Sequence, residues 1–353
     1  MNHFTYESLP GRVVFGAGRV AEVAAEVDAL GGTRVFLISD GAAQLLGDAV
    51  AEQLGARVAA RWAEVVQHVP VELAERARAA VEEAHADVVV CLGGGSSTGL
   101  AKALALSHGL PIVAVPTTYA GSEMTPIYGL TGGRHKQTGK DLSVLPKVVV
   151  YDPELTLGLP TGVTGPSAFN ALAHCVEALY APGCNPVISA LALEGVRAIN
   201  RSLPSVMATP ADLPGRSDLL YGAYLAGVSL GSTGTGLHHK LCHVLGGTFN
   251  LVHADTHSVI LPHAVAFNRA ALPDEMARLA EALGAPGEDP AGALWDLAEA
   301  SHVPTSLAEL GLTADDLPEA ARRAAAEITV NPAPVDEAAL AGLLQRAYDG
   351  QRP

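Results

Sequence analysis

The sequence predicts an α/β domain with a mostly parallel sheet, followed by a domain built only of helices. Over about the first 150 residues, short β-branched runs alternate with Ala- and Glu-rich helical stretches, and after about residue 160 the strand-like runs disappear. The chain also has 353 residues, which is long for a single hydrophobic core. We therefore expect two domains, over residues 1–160 and 161–353.

The strands of the first domain are predicted from short apolar runs bounded by turns. These runs are RVVF (12–15), RVFLIS (34–39), ARVAARWAEVV (56–66), DVVVCLG (87–93), PIVAVPTT (111–118) and KVVVYD (147–152). Helical stretches such as 20–30 and 70–86 lie between them. Strands that alternate with helices predict a parallel sheet that is covered on both faces.

The second domain is predicted from helical patterning that continues without strands. Its helical segments are 165–181, 186–201, 217–231, 234–247, 257–271 and 273–284. Pro153, Pro160 and Gly162 lie where the pattern changes, and such residues commonly interrupt regular structure. The predicted domain boundary is therefore near residue 160.

Composition limits the classes of partner. The net charge is −15 and the isoelectric point is near 5.2, so the surface repels phosphate backbones and we expect no nucleic-acid partner. The four cysteines show no CxxC spacing, which indicates reduced thiols in a cytoplasmic protein. We also expect no signal peptide and no membrane partner, because neither an apolar leader nor a run of about 18 apolar residues is present.

A first glycine-rich turn, Gly16 to Ala21, fits the G-x-G-x-x-A pattern of dinucleotide-binding loops. Asp40 ends the next strand, 22 residues after Gly18, where an acid binds a ribose 2′-hydroxyl in such folds. One match of this kind is weak evidence. The favoured interpretation of the turn is therefore an ordinary strand-to-helix connection.

A second turn, Gly93-Gly94-Gly95-Ser96, has the stronger context, because it joins an apolar strand to a helical run. Glycines let a backbone approach a pyrophosphate closely, and a helix N-terminus adds free N–H groups and partial positive charge. The turn is therefore predicted to bind phosphate. The next strand ends in PTTYAGS (116–122), whose hydroxyl groups bind a ribose or phosphate, or else cap a turn.

Histidines accumulate in the helical half of the chain. Seven of the 13 histidines lie between 174 and 263, and six of them lie within 26 residues. Asn170 and His174 are four residues apart, as are His239 and His243, so each pair shares one helix face. Such a cluster, with Asp255 as the nearby acid, indicates a site that binds a metal, shuttles protons or holds carboxylates.

At these residues the chain resembles the iron-containing alcohol dehydrogenase superfamily, and within it the maleylacetate reductases. Three long blocks carry the second resemblance: PTTYAGSEMTPIYGLT (116–131), VLPKVVVYDPELT (144–156) and GLHHKLCHVLGGTF with HADTH (236–257). Gly99, where many superfamily members have aspartate, also fits the maleylacetate reductases. The resemblance implies the fold that dehydroquinate synthases share with this superfamily, a nucleotide-binding α/β domain before a helical domain, and a homodimer.

The resemblance also implies the cofactor site. In the superfamily the GGGS turn binds the pyrophosphate, a threonine pair lies beside the nicotinamide, and an acid binds the ribose. The residues expected to bind NADH, with NADPH as an alternative, are Asp40, Gly93, Gly94, Gly95, Ser96, Thr117, Thr118, Ser122 and Lys140.

The metal pattern of the superfamily is altered in this chain. That pattern is Asp-x-x-x-His followed by two histidines 14 residues apart, and here it falls on Asn170, His174, His239 and His253. An amide stands where the anionic ligand is expected. We therefore expect no metal ligand among these residues and full activity without zinc or iron.

The implied reaction reduces the C2=C3 double bond of maleylacetate, a small dicarboxylate, to give 3-oxoadipate in the breakdown of aromatic compounds. Our hypothesis makes His243 the proton donor or enolate stabiliser. The other candidate catalytic residues are His239, His253, His174, Lys240 and Asn170. The alternatives are a metal-dependent alcohol or polyol dehydrogenase of the same superfamily, a lyase similar to dehydroquinate synthase, and a non-enzymatic binding module.

Overall fold

The computed structural model describes residues 3–132 and 135–353. It divides into a unit over Ser8–Gly158 and a second unit that joins Leu159–Pro353 to residues 3–7. We keep the bounds 1–160 and 161–353 as a proposal for the functional domains. Within the described ranges no helix is both long and apolar enough to cross a bilayer.

The first unit contains eight strands and four α-helices among its described residues. The strands are β1 (Arg12–Phe15), β2 (Val35–Ser39), β3 (Val58–Trp62), β4 (Val88–Gly93), β5 (Ile112–Pro116), β6 (Ile127–Gly132), β7 (His135–Lys140) and β8 (Val148–Tyr151). The helices are α1 (Val23–Ala29), α2 (Gln44–Leu54), α3 (Val71–Glu83) and α4 (Gly95–His108).

Six of these strands form one parallel sheet in the order β1-β8-β5-β4-β2-β3. Every residue of β2, β4 and β5 is buried, which explains why they are continuous apolar runs rather than alternating ones. Each fully buried Val, Leu or Ile side chain contributes roughly 1.5–3 kcal/mol by leaving water. All six predicted strands are present, although the third is shorter than its apolar run.

The antiparallel hairpin of β6 and β7 was not predicted. Its strands contain glycine, threonine and lysine in place of an apolar run, and β6 is mostly half-buried. Cross-strand hydrogen bonds form it without the hydrophobic pattern that identifies a core strand.

Strand register aligns the carboxyl ends of the central strands. Ser39 pairs with Leu92, so Asp40 follows β2 beside Gly93. Gly93 pairs with Pro116, so Thr117 follows β5 on the other side. In open α/β sheets, ligands bind at such ends where the strand order reverses direction. The chain adds β3 on one side of β2 and β4 on the other, so the reversal lies between β2 and β4.

The second unit contains helices and loops, and no strand, among its described residues. Its helices are α5 (Thr161–Glu177), α6 (Pro186–Ala208), α7 (Leu213–Thr233), α8 (Leu237–Phe249), α9 (His253–Asn268), α10 (Pro273–Ala282), α11 (Pro290–Ala300), α12 (Leu317–Glu327) and α13 (Glu337–Tyr348). Buried apolar side chains of α8, α9, α12 and α13 form one core cluster. The predicted fold class, a parallel α/β domain before an all-helical domain, is confirmed.

One helix boundary differs from the prediction in a way that affects the site. The predicted helix began at residue 257, whereas α9 begins at His253. His253 and His257 therefore lie one turn apart on the same helix, and their side chains are neighbours.

Candidate active site

The connection from β4 to α4 has the form of a phosphate-binding turn. Gly93 has φ +133°, and a Cβ there would lie 2.5 Å from Ser97 Oγ, so only glycine fits without strain. The Gly93 carbonyl accepts a hydrogen bond of 3.0 Å from Thr117 N. α4 begins at Gly95, and its first N–H groups are those of a helix N-terminus that can bind an anion.

Thr118 and Asp40 lie on opposite sides of this turn. A Cβ at Gly94 would lie 3.2 Å from Thr118 Oγ1, and a Cβ at Gly93 would lie 3.9 Å from Asp40 Oδ2. Asp40 Oδ1 accepts a hydrogen bond of 3.0 Å from Ala43 N, which caps the following short helix. The structure thus brings together the predicted pyrophosphate turn, one threonine of the pair and the predicted ribose acid.

The first glycine-rich turn has its anion site filled by the chain itself. The two carboxylate oxygens of Asp152 accept hydrogen bonds from Gly18 N at 3.1 Å and Val20 N at 2.9 Å. These N–H groups are the ones that a pyrophosphate would need. This contact supports the interpretation of residues 16–21 as a structural turn.

Ser122 and Lys140, two further predicted cofactor residues, lie in different settings. Ser122 contacts the buried Lys102, whose Nζ donates to the Ser122 carbonyl oxygen at 2.6 Å and to the Thr125 carbonyl oxygen at 2.8 Å. Lys102 therefore fixes the loop after β5, and sequence reasoning missed it. Lys140 is exposed at the end of β7. Binding of the cofactor by both residues stays a prediction.

In the helical unit, α5 carries Asn170, His174 and Glu177 on one face, since they are separated by four and three residues. His174 and Glu177 are buried, and Asn170 is half-buried. Glu177 was not among the predicted site residues. Its position one turn after His174 was the clue in the sequence.

The Glu177 carboxylate holds the start of α8. It accepts hydrogen bonds from Gly236 N at 2.9 Å and His238 N at 2.7 Å, as expected of an anion at a helix N-terminus. It also lies 2.5 Å from Nδ1 of His239. Burial raises the pKa of this carboxyl to about 7, while the backbone N–H groups oppose that change. One acid thus fixes both a helix end and an imidazole ring.

Six histidines from α5, α8 and α9 form a connected group, which we call the histidine cluster. Its members are His174, His238, His239, His243, His253 and His257. The rings of His174 and His239 are stacked with centroids 4.4 Å apart. The rings of His243 and His253 are nearly parallel at 5.9 Å. The structure therefore brings the four predicted catalytic histidines together and adds two.

The added histidines form a buried chain of contacts. His257 Nδ1 is 2.7 Å from His238 Nε2, and His257 Nε2 is 3.1 Å from His253 Nε2. Cys242 Sγ lies 3.6 Å from His238 Nε2. The four-residue spacing from His253 to His257 would have revealed this contact had the predicted helix begun at His253.

Burial determines the charge of His174, His239 and His257, which we call the inner rings of the cluster. It lowers the pKa of His239 to about 3, and it lowers the pKa values of His174 and His257 well below their ordinary range. Repulsion from His239 adds to the effect at His174. These rings are uncharged at neutral pH, so the candidate catalytic residues His174 and His239 do not supply positive charge.

His243 and Lys240 lie on the more accessible side of α8. His243 is exposed and Lys240 is half-buried. His243 therefore contacts solvent, from which it can regain a proton, while its ring lies 6.3 Å from that of His239. The catalytic roles of both residues stay predictions.

Comparisons with known proteins agree over the whole chain. Residues 10–153 match the family described as iron-containing alcohol dehydrogenase, and residues 164–348 match its C-terminal domain. Maleylacetate reductase of Burkholderia cepacia is 51% identical over 353 residues, or 100% of both chains. That of Delftia acidovorans is 47% identical over 351 residues, or 99% of each. The crystal structure of maleylacetate reductase from Agrobacterium tumefaciens has a TM-score of 0.97 at 45% identity, covering 100% of both chains.

The family match corrects one expectation. We expected no metal, and this is wrong because the matched family is iron-containing, which implies a bound iron. The expectation rested on Asn170, which replaces the anionic ligand of the superfamily pattern. Glu177 gives a physical reason for the error, because its buried carboxyl group lies behind His239. The site thus contains an acid that the ligand pattern alone did not reveal.

Two donor atoms in the histidine cluster are of the kind that an iron ion binds. His239 Nε2 and His174 Nδ1 are buried, and the described part of the chain offers neither a hydrogen-bond partner. Such atoms are costly to bury unless something binds them, and imidazole nitrogen is a ligand that suits iron. A carboxylate behind a histidine, as Glu177 is behind His239, commonly orients a metal ligand. His174, His239 and His253, with Asn170, would hold the ion.

Proposed function

The chain belongs to the iron-containing alcohol dehydrogenase family, and from this membership we propose that it catalyses the NAD(P)H-dependent reduction of maleylacetate to 3-oxoadipate. The observation that supports this most is the full-length likeness to maleylacetate reductases at close to half identity. The proposed setting is the breakdown of aromatic compounds.

The reaction is a conjugate hydride addition. NADH gives a hydride to the carbon β to the ketone, the C2=C3 double bond breaks, and the electron pair moves to form an enolate. A proton then joins the adjacent carbon, so one NADH and one proton yield NAD⁺ and 3-oxoadipate. The protein must stabilise the enolate charge and deliver that proton.

The nucleotide is proposed to bind at the carboxyl ends of β2, β4 and β5. Main-chain N–H groups at the start of α4 bind the pyrophosphate, and the absence of a side chain at Gly93 and Gly94 allows close approach. Asp40 accepts hydrogen bonds from the ribose hydroxyl groups and repels a 2′-phosphate. NADH is therefore the proposed preferred cofactor, and NADPH the weaker one.

The substrate is proposed to bind at the histidine cluster. Its two carboxylates need positive charge, which the uncharged inner rings do not provide. Lys240 and His243 are the proposed sources, since they lie on the accessible side of α8. His243 donates the proton to the carbon next to the ketone and regains one from water. The buried inner rings exclude water from the other side of the cluster.

A bound iron would supply Lewis-acid chemistry, which stabilises negative charge on an oxygen. His174, His239 and His253, with Asn170, would hold it. Glu177 keeps the His239 ring in a fixed orientation by binding its Nδ1, which leaves Nε2 for the ion. The chain itself therefore supplies neutral imidazole groups, and Glu177 fixes the orientation of one of them, that of His239.

A substrate panel tests the proposed function. Iron-loaded enzyme is mixed with NADH and either maleylacetate, a simple ketone, an aldehyde or no acceptor, and loss of NADH absorbance is followed. We expect turnover with maleylacetate only, and 3-oxoadipate as the product by mass spectrometry. Faster turnover of simple carbonyl compounds would favour the alcohol dehydrogenase alternative and contradict the proposal.

We also propose a homodimer. β1 is an edge strand of the sheet, with β8 on one side only among the described residues. Its other edge has backbone groups that can pair with the same strand of a second copy. Sedimentation at micromolar concentration is expected to give twice the mass of 36.2 kDa, and a monomer mass would contradict this.

The proposed location is the cytoplasm. All four cysteines are free in the structure, and three of them are buried. Free thiols suit a reducing compartment. Cell fractionation with an antibody against the protein is expected to place it with cytoplasmic enzymes rather than in the periplasm or the membrane.

A further inference from the structure

Lys102 is a fully buried lysine on α4, the helix that begins at the phosphate-binding turn. Its Nζ lies within hydrogen-bond distance of five oxygen atoms, all from the segment that follows β5. These are the carbonyl oxygens of Ser122, Thr125 and Ile127 at 2.6, 2.8 and 2.8 Å, the Thr125 hydroxyl at 3.0 Å and the Ser122 hydroxyl at 3.3 Å. We call these atoms the oxygen cage. A buried amino group with so many partners holds this segment against α4.

The oxygen cage fits the protonated form of Lys102. Carbonyl oxygens only accept hydrogen bonds, and an ammonium group only donates them. Burial lowers the pKa of Lys102 to about 7, while the negative charge of Glu123 opposes that change. Glu123 is itself buried, and its Oε1 accepts a hydrogen bond of 2.7 Å from the Tyr151 hydroxyl. The cage and this acid together stabilise a charge that would otherwise be costly to bury.

Residues 117–122, which we call the wall segment, lie against the phosphate-binding turn. A Cβ at Gly94 would lie 3.2 Å from Thr118 Oγ1, and a Cβ at Gly95 would lie 3.5 Å from the Ala120 Cβ. The space beside the start of α4 is therefore bounded by this segment. A nucleotide that binds at the turn meets the wall segment as well.

Both ends of the wall segment are fixed to the strand and helix that it lies against. At the first end, Thr117 N donates a hydrogen bond of 3.0 Å to the Gly93 carbonyl. At the last end, Lys102 binds the carbonyl oxygen of Ser122 and lies 3.3 Å from its hydroxyl, and Tyr119 is buried between the two ends. Removing the ammonium group therefore releases Ser122 from α4 while the contact at Thr117 remains.

We propose that Lys102 is a positioning residue for the nicotinamide cofactor, and that its ammonium group holds the wall segment in the conformation that binds NADH. A segment that is already ordered binds its ligand more tightly, because less conformational freedom is lost on binding. The proposal rests on the NADH site proposed above and names a residue on which that site depends. It does not depend on the identity of the substrate.

The test measures NADH binding to the full-length protein by fluorescence titration, at a temperature at which circular dichroism shows each variant to be folded. Lys102→Ala is expected to weaken NADH binding by about 10- to 100-fold, because hydrogen bonds to a charged group are lost. n-Propylammonium has the atoms that this substitution removes, so adding it is expected to restore most of the affinity. tert-Butylammonium has the same charge but is too wide for the space, and it should restore none.

Leu104→Ala is the matched control, because it removes another fully buried side chain from α4 and leaves the ammonium group in place. It is expected to lower the free energy of unfolding, to keep the NADH affinity of the unmodified protein and to show no response to n-propylammonium. Unchanged NADH affinity in folded Lys102→Ala would overturn the proposal. A loss of affinity that n-propylammonium does not reverse would overturn it too, since a merely structural defect gives that result.

If Lys102→Ala does not fold, Lys102→Met replaces it, because methionine fills much of the same space and cannot donate. Hydrogen exchange in the unmodified protein needs no variant. The Thr125 and Ile127 amides should exchange slowly before NADH is added, because the segment is already held, and exchange that becomes slow only with NADH would overturn the proposal. Failure of the unmodified protein to bind NADH would contradict the proposed function as well, whereas the outcomes above contradict the role of Lys102 alone.

Discussion

The turn after β4 and the histidine cluster, the two proposed binding regions, are built in opposite ways. The turn uses main-chain atoms, and its required feature is the absence of side chains at Gly93 and Gly94. The cluster uses mostly buried side chains from α5, α8 and α9, and two of them, His239 and His257, are held at a ring nitrogen by another residue. The first site is therefore damaged by adding an atom, and the second by removing one. This difference predicts which substitutions each region tolerates.

The largest expected effect comes from removing a side chain from the cluster. His243→Ala is expected to lower kcat by about 10²- to 10⁴-fold, the usual contribution of a positioned proton donor. NADH affinity, measured by fluorescence titration, should stay the same, because His243 belongs to the helical unit. His108→Ala, at the C-terminal end of α4, is the control and should keep normal turnover. Near-normal kcat in His243→Ala would remove this residue from the mechanism.

An intermediate effect is expected from adding one carbon to the turn. Gly93→Ala forces an L side chain into φ +133° and against Ser97 Oγ, at a cost of about 1–3 kcal/mol. If the turn shifts to relieve this, NADH binding weakens by roughly 5- to 150-fold. Iron content should not change, since the cluster is built from other helices.

Gly109→Ala is the matched control for that change. Gly109 has φ +65° at the other end of α4, and its added Cβ meets nothing within 4 Å. It therefore introduces backbone strain without touching the turn. Equal NADH affinities in Gly93→Ala and Gly109→Ala would show that the β4 turn does not bind the nucleotide.

The smallest expected effect is on cofactor choice. Asp40→Ser removes a negative charge but keeps an oxygen that can cap the short helix at Ala43. Two like charges about 4 Å apart in water repel by about 1 kcal/mol, so the preference for NADH over NADPH should fall by roughly fivefold. The ratio of kcat/KM for the two cofactors measures it. An unchanged ratio would mean that Asp40 does not contact the ribose.

The two regions also differ in how far the sequence predicts them. The GGGS turn is local, because strand, glycines and helix follow one another in the chain, and so it was found as a motif. The contact of Glu177 with His239 spans 62 residues, and no local pattern marks such a pair. The expectation of a metal-free enzyme failed at this point, since it considered Asn170 without the acid about two turns further along α5.

Burial also explains which strands of the fold were predicted from the sequence and which were missed. The strands of the main sheet were predicted because complete burial requires continuous apolar runs. The hairpin of β6 and β7 was missed because main-chain pairing, not apolar burial, defines it. Helix α9 was predicted four residues late, and this hid the contact between His253 and His257.

Glu177 also connects local unfolding of the chain to the chemistry of the site. The same carboxyl group binds the N–H groups at the start of α8 and the ring of His239. Fraying of the first turn of α8 and rotation of that ring are therefore one opening event, with a single free energy. Slow hydrogen exchange at the His238 and His239 amides would thus report how long the imidazole ring keeps this orientation.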